Sequence, residues 1–221
     1  MKRKVHTCPF CRERFFPYHE LIGLDKRDAI VYSDDYVFVT PDISPISKGH
    51  FLIITRHHYN NYAQTPSCVK KSLWKAVNLI KEEVFKNENF LLFEHGASVN
   101  EEKSAGNSIN HAHVHLIMSE SNLLMHVREE KKYIIEIKGS TIDMYAEKYK
   151  NHPYIWIMNN NEQSFFKVNH LPSQYLRKKY AELSKMEYSY DWKIEFDNLL
   201  SIKQYHENLN LIRSMLEKGK Q

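Results

Sequence analysis

The ten residues from Ile109 to Met118 read Ile-Asn-His-Ala-His-Val-His-Leu-Ile-Met and place a histidine at every second position from 111 to 115. Successive side chains of a β-strand point to opposite faces. A strand here therefore presents His111, His113 and His115 with Ile109 on one face, while Ala112, Val114 and Leu116 turn into the core. Three imidazoles in a row make poor core material, because each needs a hydrogen-bond partner. The stretch thus predicts a sheet and marks one of its faces as a site. Spacing of i, i+2, i+4 allows a zinc cage. Just upstream, however, Gly106 lets backbone approach a ligand closely, and Ser108 offers a hydroxyl and an N–H to an anion. That combination favours phosphate: one histidine attacks phosphorus while its neighbours bind phosphate oxygens.

The rest of the chain supplies the sheet. Between residues 29 and 62 the sequence reads as two strands, one alternating around Val37–Thr40 and one buried run, "HFLIIT", separated by the turn "PDISPISKG". Leu73, Val77, Ile80 and Val84 recur at a helical period, predicting a helix over residues 67–85 after the start signals Pro66 and Ser67. "NFLLFEHGASVN" supplies another strand before the histidine stretch. This order is α+β, an antiparallel sheet covered on one side by the helix. Apolar residues are 42% and charged residues 26%, the balance of a soluble globular protein. No apolar run approaches the roughly 20 residues that span a bilayer, so no membrane partner is expected. The basic N-terminus has no secretory apolar stretch and the three cysteines fit a reducing compartment, so the expected location is cytoplasmic. A net charge of +4 suits a phosphate-bearing ligand and is too mild to argue for nucleic acid.

"HAHVHLI" matches the pattern His-x-His-x-His followed by apolar residues, and "PDISPISKGHFLIITRHH" resembles the strand-turn-strand segment that accompanies it. "FEHGASVNEEKSAGNSINHAHVH" resembles the late strands of the same fold. On these residues, covering about 30 to 120, the chain is identified as a member of the histidine-triad (HIT) superfamily. The resemblance implies a HIT-like catalytic domain over residues 1–120. Its expected activity is that of a nucleotidyl hydrolase or transferase acting at the α-phosphate of a nucleotide. His113 would be the nucleophile, His115 would contact the phosphate and His111 would orient its neighbour. Ser108, Gly106 and Asn107 would hold the phosphate, with no metal there. Asp42 would bind the ribose hydroxyls, although it also suits an Asx-turn, and Asn100 would lie near the phosphate. Many members carry glutamine where this chain has Asn107. A histidine at 115, where transferring branches resemble His-x-His-x-Gln, favours water as the final acceptor. Dinucleoside polyphosphates and nucleoside phosphoramidates are the expected substrates. Phosphate as acceptor, or a nucleotide- or nucleic-acid-binding module, are the alternatives.

"CPFC" gives Cys8 and Cys11 the spacing of a zinc knuckle, but two thiolates do not complete a tetrahedron. The resemblance implies that His58, or else His57, and His111 complete a structural zinc site. Residues 121–221 form an extension. They predict a hairpin over 153–168, a helix beginning near Pro172 and Ser173, and a last helix over about 196–216. Arg177, Lys178 and Lys179 could face polyphosphate or nucleic acid, but such a cluster is more often a solvated helix face, which is the expectation here. The extension needs a partner surface, either the first part's sheet or a second subunit, which leaves homodimerisation open.

Overall fold

The computed structural model describes residues 8–11, 23, 29–86, 88–98, 104–130, 134–137, 141–160, 162–186 and 189–218. Asn100 lies outside the described residues. One antiparallel sheet organises the chain. Its strands are β1 (Tyr32–Ser33), β2 (Val37–Pro41), β3 (Phe51–Thr55), β4 (Phe90–Gly96), β5 (His113–Met118), β6 (Ile134–Ile137), β7 (Tyr154–Asn159) and β8 (Glu162–Val168). Their spatial order is β1-β2-β3-β5-β4-β7-β8-β6. The extension therefore adds its strands to the edge of β4, where Phe93 pairs with Ile157 and His95 with Ile155. The same sheet runs through both parts of the chain.

Helix α1 (Ser67–Leu79) buries Val69, Leu73, Ala76 and Val77 against Val37, Val39, Phe51 and Ile53 on one face of the sheet. Its last turn widens, Phe85 N–H reaching the Ile80 carbonyl at 2.9 Å, so the periodicity that predicts one helix to residue 85 spans an α-helix and a π-turn over Ile80–Val84. From the extension, α3 (Ile142–Tyr149) adds Ile142 and Tyr145 to this layer, and α6 (Leu199–Lys218) adds Ile212. The opposite face is covered too. There α2 (Leu123–Glu129) and α4 (Tyr175–Ser184) bring Leu123, Leu124, Val127, Leu176 and Tyr180 onto Leu91, Phe93, Ile117, Ile155 and Phe166. The order of elements before residue 120 predicts one helix on one face, and leaves open whether the extension packs on this sheet or on a second subunit. The unbroken apolar run Leu91–Phe93 explains the difference, since a strand buried on both faces needs cover on both. A short helix α5 (Trp192–Glu195) joins α4 to α6. Among the described residues no helix is long and apolar enough to cross a membrane.

Candidate active site and metal centre

Strand β5 lies between β3 and β4. Its register sets His113 opposite Ile54, and His115 between Leu52 and Phe93. The His115 ring stacks on Phe93 at 4.5 Å and 15°. The strand begins at His113 rather than Ile109, so His111 sits in the bend before it. Both strand histidines line one pocket together with Asp42, Asn107, Ser108 and His95.

The hydrogen-bond partners assign the proton on each ring, because a carbonyl only accepts and a backbone N–H only donates. His113 Nδ1 lies 2.6 Å from the His111 carbonyl, so Nδ1 carries the hydrogen and Nε2 is left with its lone pair. His50, just before β3, accepts the Ile46 N–H on Nδ1 at 3.1 Å, which puts its hydrogen on Nε2. That hydrogen faces His115 Nδ1 at 2.9 Å, so His115 carries its own hydrogen on Nε2. The result is an unprotonated ring nitrogen beside a ring N–H donor. Burial pushes the imidazoles down from their ordinary value: His113 is lowered, His115 well lowered, and His50 and His95 fall to about 3. All four are neutral at pH 7.

His111 acts on His113 through its backbone carbonyl, while its ring serves another group. Its Nε2 donates to the Thr55 carbonyl at 2.7 Å, which leaves Nδ1 as a lone pair 3.4 Å from Cys8 Sγ and 3.5 Å from Cys11 Sγ. Cys11 Sγ is also 3.1 Å from His58 Nδ1, and the four ligand atoms all lie within 4.8 Å of one another. Two thiols and two imidazole nitrogens at those separations are the donor set and spacing of a closed tetrahedral zinc site. His58, not His57, occupies the third place. Without an ion, burial pushes the Cys11 thiol up to about 12, with Cys8 as the second cause. Asp42, His50 and His115 also approach one another, but His50 cannot ligate through Nε2 while Nδ1 is taken by Ile46. This second group is therefore a hydrogen-bond relay.

Between the two cysteines, Phe10 meets His111 at 5.6 Å and His113 at 5.3 Å, both edge-on, and with Pro9 it walls the pocket. The Cys8–Cys11 turn thus also builds part of the site. Asp42 accepts the Ser44 N–H on Oδ1 at 2.8 Å, forming the Asx-turn, while Oδ2 takes Arg177 at 2.8 Å. Gly106 holds φ +78°, and a Cβ there would meet the Pro172 carbonyl oxygen at 2.6 Å. The backbone that approaches this glycine belongs to the extension. Asn107 is buried, its amide donating to Asn110 Oδ1 and to the Ile109 carbonyl. Ser108 Oγ accepts the Trp192 indole N–H at 2.9 Å.

Sequence reasoning missed His50, Phe10, Gln174, Arg177 and Trp192, all of which contribute to the relay or line the pocket. Arg177 corrects the expectation of a solvated basic face, being only 2% exposed. The available signal was its place beside Leu176 and three residues before Tyr180, on the border of the apolar stripe. Glu94 of "FEHG" points away from the pocket, accepting from Tyr62 N–H and the Tyr154 hydroxyl, while His95 lines it.

A family model for the HIT domain matches residues 24–122. An uncharacterized HIT-like protein of Methanocaldococcus jannaschii is 32% identical over 114 residues, which cover 50% of this chain and 77% of that one. Adenylylsulfatase HINT3 of Arabidopsis thaliana is 34% identical over 115 residues, 51% of this chain and 52% of that protein, so the match spans about half its length. Among solved structures, a hypothetical histidine triad nucleotide-binding protein from Sulfolobus tokodaii is 30% identical, with 52% of this chain and 71% of that chain covered and a TM-score of 0.36. With the triad and its flanking strands in place, the chain belongs to the HIT (histidine-triad) family.

Proposed function

We propose that this chain is a nucleotidyl hydrolase, acting at the α-phosphate of a nucleotide through a covalent intermediate on His113. The observation that carries the reading is the His113 Nδ1–H bond to the His111 carbonyl, which leaves a neutral Nε2 lone pair in the pocket. In the first step Nε2 attacks the α-phosphorus, the bond to the leaving group breaks, and that group departs with the electron pair. The positive charge gained by the imidazole spreads onto Nδ1–H, where the His111 carbonyl stabilises it. The Nε2–H of His115 and the Ser108 hydroxyl are placed to donate to phosphate oxygens as charge grows there. Water then adds to phosphorus, the P–N bond breaks and its electrons return to His113. The water's second hydrogen stays on the nucleoside monophosphate, and the other neutralises the departed group.

Dinucleoside polyphosphates, nucleoside phosphoramidates and mixed anhydrides such as the adenylyl sulfate that a relative's name denotes share this α-phosphate chemistry. In the same reading Cys8, Cys11, His58 and His111 hold a structural zinc that fixes the N-terminal arm and the His111 carbonyl. Intact-protein mass spectrometry after brief mixing with a dinucleoside tetraphosphate tests the step. Wild type should gain one nucleoside monophosphate and His113→Ala none, and added phosphate should leave the monophosphate as product. A diphosphate product would instead make phosphate the acceptor. If no substrate is consumed at all, hydrolysis of this class is excluded.

A further inference from the structure

We propose that Arg177, carried by the extension, is a positioning residue for the reaction site, holding Asp42 so that His50 gives its hydrogen to His115. The proposal rests on the nucleotide reading of the pocket for its ligand, but not for its geometry. Arg177 stands on α4, beyond the residues 24–122 that the family model matches. Its guanidinium ties three segments together: Nε donates to the Tyr190 carbonyl at 3.0 Å, one terminal nitrogen to Asp42 Oδ2 at 2.8 Å and the other to the Ser44 carbonyl at 2.6 Å. A charge this deeply buried persists only with such partners.

The competition it settles is visible in the distances. The single Nε2–H of His50 faces two acceptors, His115 Nδ1 at 2.9 Å and Asp42 Oδ2 at 3.5 Å. A carboxylate is the stronger acceptor of the two. Arg177 occupies Oδ2 and offsets its charge, so the hydrogen goes to the imidazole, and His115 is held with Nε2–H toward the pocket. Without Arg177 the carboxylate is left buried and unpaired, and the His50 hydrogen turns to it. His115 then loses the bond that selects its tautomer, and Asp42 is no longer held toward the pocket.

The effect is separable from the docking of the extension, because other bonds hold α4 in place. Leu176 N–H donates to His95 Nε2 at 3.1 Å, Gln174 N–H to the Gly106 carbonyl at 2.6 Å and the Trp192 indole to Ser108. Arg177→Gln and Arg177→Lys in the full chain test the idea with two readouts. The first is the ¹⁵N chemical shifts of the His115 ring without ligand. The second is calorimetric binding of AMP and 2′-deoxy-AMP.

Arg177→Gln should move His115 from the pure Nε2–H tautomer to a mixture. It should also weaken AMP binding roughly tenfold or more, the worth of a hydrogen bond to a charged group, and shrink any preference for AMP over 2′-deoxy-AMP. Arg177→Lys should recover part of each. A folded Arg177→Gln protein with unchanged His115 shifts overturns the proposal. Should that variant fail to fold, Arg177→Gln with Asp42→Asn removes the unpaired charge and leaves at that place only a neutral amide, a weaker competitor for the His50 hydrogen. His115 should then regain its tautomer, and its failure to do so overturns the proposal equally. A wild type that binds no AMP, alongside shifts that respond to Arg177, supports the positioning role and sinks the nucleotide reading.

Discussion

At the scale of single residues, Gly106 shows how the site is assembled. Its positive φ, and the 2.6 Å approach that a Cβ would make to the Pro172 carbonyl, mean that alanine strains the backbone and pushes against the extension. Gly106→Ala should lower stability by about 1–3 kcal/mol, read from urea unfolding, and slow turnover by shifting Ser108. An unchanged urea midpoint would show that the close approach is not needed. Trp192→Phe is the complementary change: the ring remains but the bond to Ser108 is lost. It should cost about 0.5–1.5 kcal/mol, read from urea unfolding, and lower kcat at a temperature where the variant is fully folded. The triad and the Cys8–Cys11 pair could be read from the sequence by their spacing, whereas His58 and His111 joined the cysteines only through the family resemblance, which left His57 as the alternative. Arg177 and Trp192 could not, since their partners lie 135 and 84 residues away. The one local sign that the fold buries this arginine, its place beside Leu176 on the border of the apolar stripe, is outweighed by the two lysines that follow it.

Among the elements, β4 is the hinge of the architecture. Its strand character follows from the run Phe90–Phe93, and the hairpin that pairs with it follows from "PYIWIM" and "SFFKV". That the two would meet was not legible, because nothing in an apolar strand names its neighbour. Once β7 occupies the β4 edge from within the chain, no second copy can add a strand there. The sheet's edges are instead β1 and β6, so substitutions in β4 should leave the mass read by light scattering unchanged. A dimer abolished by substitutions in β4 would refute this pairing. The knuckle Cys8–Cys11 is the second such element, since it carries Phe10 onto His111 and His113. Stripping zinc with a chelator should lower the melting temperature and weaken AMP binding together, and Cys11→Ser should do the same. Equal melting curves before and after a measured loss of zinc would remove its structural role.

Across the whole molecule, the buried titrating groups set where the fold is most stable. His50, His95 and His115 are held neutral well below the ordinary 6.5, so their stabilisation is complete above that pH and is lost as pH falls toward their folded values. Glu94 works in the other direction. Burial at the β4–β7 seam raises its carboxyl from 4.5 to about 8, against the Tyr154 and Tyr62 hydrogen bonds that lower it. Its stabilisation is complete below 4.5 and drains away as pH rises to about 8. Each proton bound in only one state tilts stability by about 1.4 kcal/mol per pH unit. Between pH 4.5 and 6.5 the unfolded chain gains protons at three histidines and the folded chain keeps one on Glu94, so stability climbs with pH. Above about pH 7 the histidines of the unfolded chain are mostly neutral too, Glu94 becomes the main difference among these groups, and stability declines toward pH 8. Urea midpoints should therefore peak near pH 6.5–7. In Glu94→Gln, whose amide oxygen still accepts the Tyr62 N–H, the acid limb should persist and run on to about pH 7, while the decline from there to pH 8 disappears. A decline as steep as that of wild type would place the alkaline loss in groups other than Glu94.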